Sequence, residues 1–173
     1  PKTSPQTSPA SATENKVLSV ELKTYSSARI AEILDTVPNT AEATSLPPQS
    51  KRLKMTLETA KGAIVCTLDH RESPQATANF VALASGLEPW RDPDTGETLK
   101  TRFYDGMTFN RTIKNFIIQT GNPGARASGG PGWAIAREGD PRNRYATPGA
   151  LGMVDSADDT HGSQFFITLR KQK

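Results

Sequence analysis

Cysteine is almost absent from this chain: Cys66 is the only one in 173 residues. A single thiol excludes an internal disulfide framework. Cys66 sits in the apolar run Ala63-Ile64-Val65-Cys66, which reads as a buried strand. A nucleophilic role would need a paired imidazole. Histidine is scarce too, with only His70 and His161, and neither carries the local signature of such a pair. Long apolar runs are missing, and no stretch approaches the ~20 residues of a membrane-spanning helix. Runs of one charge are missing as well. Residues 1–50 carry four Lys/Arg against five Asp/Glu, and residues 51–173 carry seventeen against thirteen. That basic excess is small and scattered, so it argues against nucleic acid as a partner.

What is present is a soluble, loop-rich composition. The chain is 35% hydrophobic and 23% charged, with thirteen Gly and thirteen Pro, and is long enough for one domain with a core. Residues 1–14 form a Pro/Ser/Thr/Ala tract that cannot bury enough apolar surface to offset its ordering entropy. Ala28, Ile30, Ala31, Ile33 and Leu34 predict a short helix ending before Pro38, and residues 38–50 return to linker composition. Residues 1–50 are therefore expected to be a tail or linker with one short helix. They are expected to lie against a partner protein or against the domain itself. The domain is expected over 51–173.

Inside that domain, Leu53, Met55 and Leu57 alternate with Lys54, Thr56 and Glu58, the period of a half-buried strand. A turn at Ala60-Lys61-Gly62 and the run Ile64–Leu68 complete a hairpin. Ser73-Pro74 reads as an N-cap followed by Pro at the first helical position. The helix Gln75–Ser85 should bury Ala76, Phe80, Leu83 and Ala84, and Gly86 should end it in a left-handed conformation. Residues 88–100 read as a polar loop. Asp92–Glu97 resembles a calcium loop only faintly, since a ligand position and the distant Glu are missing, so a plain turn is expected. Strands are expected at Phe116–Gln119, Gly149–Val154 and Ser163–Thr168. The Gly-rich stretch 121–132 lacks Gly-Lys-Ser/Thr and any strand–helix context, which argues against a phosphate cradle. A hairpin, one helix and many short strands suggest a mainly β fold, a barrel with a helix at one end.

Three segments carry unusually specific text: Phe103-Tyr104-Asp105-Gly106-Met107-Thr108-Phe109-Asn110-Arg111-Thr112-Ile113, then Asn115-Phe116-Ile117-Ile118-Gln119-Thr120-Gly121-Asn122-Pro123, then Gly162-Ser163-Gln164-Phe165-Phe166-Ile167. In order and spacing, from about Leu53 to Thr168, the chain resembles the cyclophilin-type peptidyl-prolyl cis/trans isomerases. The resemblance implies a closed, helix-capped β-barrel, with an extended N-terminal segment ahead of it. The family pattern continues past the equivalent of Thr168, so the last strands are expected to lie beyond these residues. An unclosed barrel would leave an edge open to pairing.

The resemblance also implies roles. Arg111 matches the family's catalytic arginine, and Phe116 and Gln119 stand beside it. Ile117, Gln164 and Phe166 match cleft-lining positions, with Ile117 where Met is usual. Val154 and Asp155 occupy an Ala-Asn pair that meets substrate largely through its backbone. Taken singly, Arg111 reads as a surface charge, Phe116 and Phe166 as core, and the two glutamines as plain strand residues. Their order beside Gly-Ser-Gln-Phe-Phe changes that reading. His161 reads as a loop residue where Asn is common. Asp155, Asp158, Asp159 and His161 lack ligand-like spacing, so no metal is expected, and no cofactor is implied. The expected partners are Pro-containing polypeptide clients and cyclosporin-like inhibitors. The tail ahead of the domain fits an exported protein trimmed of its signal first, and a cytosolic or organellar one second. The rival to an enzyme is a non-catalytic module that binds Pro-containing segments or scaffolds an assembly.

Overall fold

The computed structural model describes residues 21–23, 25–35, 53–125, 129–138, 145, 147–156 and 160–170. The Pro/Ser/Thr tract at 1–14 and the linker at 38–50 lie outside the described residues. The elements are, in order, β1 (Glu21–Leu22), α1 (Ser27–Asp35), β2 (Leu53–Thr59), β3 (Gly62–Leu68), α2 (Pro74–Ser85), β4 (Trp90–Arg91) and β5 (Thr98–Leu99). After these come β6 (Arg111–Ile113), β7 (Ile117–Thr120), β8 (Trp133–Ala136), β9 (Leu151–Asp155) and β10 (Thr160–Thr168). No described helix is long and apolar enough to cross a membrane.

The β2–β3 hairpin forms where the period-two pattern places it, with Met55 opposite Cys66 and Leu53 opposite Leu68. Cys66 is buried, as its apolar run predicts, and burial pushes its thiol pKa up. The helix expected from Gln75 starts at Pro74 and ends at Ser85. Gly86 closes it at φ 69°, donating its N–H to the carbonyl of Leu83. The expected cap at Ser73 is different: its side chain makes no capping bond. Instead the Glu138 carboxylate, just past β8, accepts the Ala76 N–H at 2.7 Å. A carboxylate at a helix N-terminus also complements the positive end of the macrodipole.

Helical spacing predicts one buried face on α2, but every residue from Ala76 to Leu83 is buried. The second face is covered by the N-terminal segment. Ile33 of α1 is fully buried in the same cluster as Ala78, Val81 and Ala82. Tyr25 is buried, donates its hydroxyl to Asn79 Oδ1 at 3.2 Å, and exchanges backbone bonds with the Gln75 amide. Strand β1 pairs in parallel with β8, Glu21 opposite Trp133. Lys23 and Arg29 both reach Glu88, at 2.7 and 2.9 Å, and Lys23 Nζ lies 4.2 Å from the Trp133 ring centroid. Lys23, Tyr25 and α1 thus pack on the domain itself.

The main sheet has the order β1-β8-β10-β7-β6, with β9 also paired to β10. Among the described residues these strands do not close into the expected barrel. Strands β2 and β3 form a separate two-stranded sheet, as do β4 and β5. The hairpin meets the main sheet through side chains rather than a hydrogen-bonded ladder: Met55, Cys66 and Leu68 share one core cluster with Phe80, Phe165 and Ile167. The expected polar loop at 88–100 contains the β4–β5 hairpin. Its tip is a plain turn in which Asp92 Oδ1 accepts from the N–H groups of Asp94 and Thr95. His161 lies within β10 and is buried, not in a loop, because β10 begins earlier than its apolar text suggests.

Candidate active site

Strand register assembles the site. In the β6–β7 hairpin Arg111 lies opposite Gln119, and in the β7–β10 ladder Gln119 lies opposite Phe166. Residues directly opposite in an antiparallel pair share a face. Arg111, Gln119 and Phe166 therefore form one row across three strands, and Gly152 of β9 extends it opposite Phe166. Ile117 and Gln164 lie two residues along their strands and present the same face. The opposite face carries Ile118, Phe165, Ile167, Leu151 and Met153, all packed in or against the core. Alternation thus separates a core face from a second face, the one that carries Arg111, Gln119 and Phe166, on the same strands.

A turn at Lys114-Asn115-Phe116 joins β6 to β7, with Asn115 at φ 57°, a left-handed conformation that Asn tolerates. It leaves Phe116 at the hairpin tip, 40% exposed, with its carbonyl accepting from the Leu169 N–H at 2.8 Å. Ile117 is buried on the face that also carries Gln119. Arg111 is exposed, but its guanidinium is held: Nη1 donates to Gln119 Oε1 at 3.0 Å. Gln119 Nε2 donates to Gln164 Oε1 at 3.0 Å, and Gln164 Nε2 to the Gly129 carbonyl at 3.3 Å. Gln119 is 6% exposed, so both ends of its amide are occupied in a nearly dry setting. Behind the sheet, Tyr104 donates to the Ser163 carbonyl and Ser163 to the Gly121 carbonyl, which braces β7 against β10. Burial pushes the Tyr104 phenol pKa up, so it stays a neutral donor.

The structure brings Arg111, Gln119, Gln164, Phe166 and Ile117 onto one surface, with Phe116 at its edge. Val154 shares the face of Gly152 by alternation. Asp155 is drawn elsewhere: its carboxylate lies 3.6 Å from Arg137 and 3.2 Å from His161 Nδ1, the latter without hydrogen-bond geometry. Asp158 and Asp159 lie outside the described residues. A cavity of about 590 Å³ opens between β3, the start of α2 and β9. Arg111, Gln119, Gln164 and Phe166 do not line it, but Gly152 and Tyr145 do, so it reaches the row only at its β9 end. Sequence reasoning did not single out Tyr145, whose ring meets Phe166 edge-on at a centroid distance of 4.8 Å. Nothing local marks it, because it depends on a chain return 21 residues away from Phe166.

Residues 54–173 match the family model described as cyclophilin type peptidyl-prolyl cis-trans isomerase/CLD. The chain is 40% identical over 120 residues to peptidyl-prolyl cis-trans isomerase B of Streptomyces anulatus, covering 69% of each. It is 39% identical over 116 residues to the probable peptidyl-prolyl cis-trans isomerase A of Mycobacterium bovis, covering 67% of this chain and 64% of that one. Among solved structures it is similar to a Cryptosporidium parvum cyclophilin type peptidyl-prolyl cis-trans isomerase, crystallised in the presence of the dipeptide Ala-Pro. There the TM-score is 0.57 and the identity 29%, over 69% of this chain and 70% of the other.

Proposed function

The chain belongs to the cyclophilin-type peptidyl-prolyl cis-trans isomerases, and we propose that it accelerates X–Pro rotation in client polypeptides through Arg111. Amide resonance sets the rotation barrier at roughly 18–20 kcal/mol. X–Pro bonds populate both isomers, and uncatalysed exchange takes tens of seconds or longer. Lowering this barrier needs no covalent intermediate. In the twisted transition state the prolyl nitrogen loses conjugation and gains a localised lone pair. A donor aimed at that nitrogen gains strength only as the bond twists, which is the condition for catalysis rather than uniform binding.

Arg111 is the donor in this reading. Its guanidinium is planar and permanently charged, and its several N–H groups allow one to be fixed while another works. The observation that carries the proposal is the relay Arg111–Gln119–Gln164, with both links at 3.0 Å, beside the apolar surface of Phe166. Gln119 orients the guanidinium. Phe116, Ile117 and Phe166 form the apolar cup for the proline ring, which anchors one end of the bond while the preceding residue rotates. Val154 and Asp155 offer backbone groups at the end of β9 for the extended substrate chain. The Ala-Pro dipeptide present with the Cryptosporidium parvum relative supports Pro-containing peptides as the substrate class. Assistance to folding is the corresponding cellular role.

The test is isomerisation of an Ala-Pro peptide beside the Arg111→Ala variant. Loss of one preorganised donor is expected to cost about 10²–10³ in kcat/KM. Equal rates for the two proteins would remove Arg111 from the mechanism. Binding of a Pro-containing peptide without turnover by either protein would favour the non-catalytic module.

A further inference from the structure

Tyr145 touches the cleft face but belongs to none of the groups assigned above. Its ring lies edge-on to Phe166, with centroids 4.8 Å apart and planes at 76°. Directly beneath it is Gly152. A Cβ built on Gly152 would stand 2.5 Å from Cε1 of Tyr145 and 2.6 Å from both Cζ and the hydroxyl oxygen. Real contacts are never that short, so the Tyr145 ring occupies the space a side chain at residue 152 would take. Gly152 is opposite Phe166 in the β9–β10 register. A glycine inside a strand weakens it and often marks a close approach by another group. The cross-strand row therefore has a gap at the position that would support Phe166 from β9, and Tyr145 fills it from outside the strand.

The consequence concerns Phe166 itself. On one side its row neighbour is Gln119, already locked between Arg111 and Gln164. On the other side the position opposite it on β9 is Gly152, which has no side chain, and the Tyr145 ring stands there against the benzyl group. Edge-to-face contact sets a defined orientation between two rings. We infer that Tyr145 is a positioning residue, seated on Gly152 so that its ring holds Phe166 upright as the wall of the prolyl cup. The inference rests on the cleft reading given above. It makes residues 145 and 152 a matched pair: an aromatic ring at one requires glycine at the other. Burial first, and the Asp155 carboxylate second, raise the pKa of the Tyr145 phenol, in keeping with a ring packed against protein.

The experiment uses Tyr145→Ala, Tyr145→Phe, Gly152→Ala and the double variant Tyr145→Ala/Gly152→Ala. One readout is kcat and KM on an Ala-Pro peptide, and the other is the Phe166 ring resonances in phenylalanine-labelled protein, assigned with Phe166→Leu. Tyr145→Ala is expected to lower kcat about tenfold with KM within about twofold, since misplacement of a positioning group acts on the reacting geometry. Tyr145→Phe keeps the ring and restores the rate. Gly152→Ala displaces the ring, so it matches Tyr145→Ala in both readouts. The double variant is no slower than either single one, because the methyl then meets empty space. A plain structural plug would leave the Phe166 resonances and kcat unmoved in Tyr145→Ala, and that result overturns the inference. Multiplying effects in the double variant overturn it as well. Absence of turnover in the wild type counts against the cleft reading alone. In that case the Phe166 resonances still decide the contact, unmoved in Tyr145→Ala sinking it and moved in both single variants supporting it.

Discussion

Replacing Gln119 by Leu tests how the site works more sharply than removing Arg111. Leu keeps most of the volume at a position only 6% exposed, so the β7–β10 ladder should stand. What is lost is the fork: Oε1 no longer accepts the hydrogen bond from Arg111 Nη1, 3.0 Å away, and Nε2 no longer donates to Gln164. A hydrogen bond to a charged group contributes about 1.5–3 kcal/mol when well formed. Arg111 is exposed, and water substitutes in part, so the lower end applies. About 1.4 kcal/mol of lost orientation is a tenfold fall in kcat/KM. The expected result is therefore a tenfold loss in Gln119→Leu, against about 10²–10³ in Arg111→Ala. If Gln119 acts through the guanidinium, the double variant should be within about twofold of Arg111→Ala. Thermal unfolding is measured alongside, and a change under about 1 kcal/mol shows that the fold survived. A Gln119→Leu protein at wild-type rate refutes the reasoning. So does a double variant about ten times slower than Arg111→Ala, because that would give Gln119 a role of its own.

Three further outcomes follow from the packing. Ile33→Ala, at a fully buried site between α1 and α2, should cost about 2–5 kcal/mol if α1 unfolds with the domain. Denaturant unfolding and amide exchange over 27–35 measure it, and unchanged exchange would contradict the docking of α1. Burial raises the Glu88 carboxyl pKa, but the Lys23 and Arg29 hydrogen bonds outweigh that and hold it below the usual carboxylate range. A depressed carboxylate stabilises above its unfolded pKa and loses that contribution as pH falls through its folded one. Protection of residues 25–35 should accordingly fall on acidification, and Glu88→Gln should show the same loss at neutral pH. Cys66 should react slowly with a thiol reagent at pH 7, since burial raises its pKa, and rapidly once the chain is unfolded. Fast labelling of the native protein would place the thiol on the surface.

Much of the fold was legible because its determinants are local. The period of two over Leu53–Glu58, the Gly62 turn, Pro74 at the start of α2 and Gly86 at its end are all signals within a few residues. Arg111 and Gln119 are eight residues apart in one hairpin, so their pairing follows from a single tight turn. Gln164 and Phe166 were recognisable by their neighbours in the text, but their distance from Arg111 was not. It depends on the β7–β10 register, and a slip of one residue would send Phe166 into the core and Phe165 into the cleft.

What the sequence determined by itself, then, is the β2–β3 hairpin, the two helices, the strands around Ile117–Thr120, Leu151–Asp155 and Thr160–Thr168, and the text that marks the family; β1, β4, β5 and β8 were not legible in it. Backbone conformation and side-chain alternation respond to neighbours a few residues away, and those are written in order along the chain. Tertiary structure alone decided the rest. It gave α2 a second buried face under α1, moved the cap of that helix from Ser73 to Glu138, and kept the β2–β3 hairpin apart from the main sheet. It also set Tyr145 on Gly152 beside Phe166. Each of these is a contact between segments whose separation in sequence carries no local signal, and each forms because an uncovered apolar face or an unpaired N–H costs more than the entropy of bringing a distant segment to it.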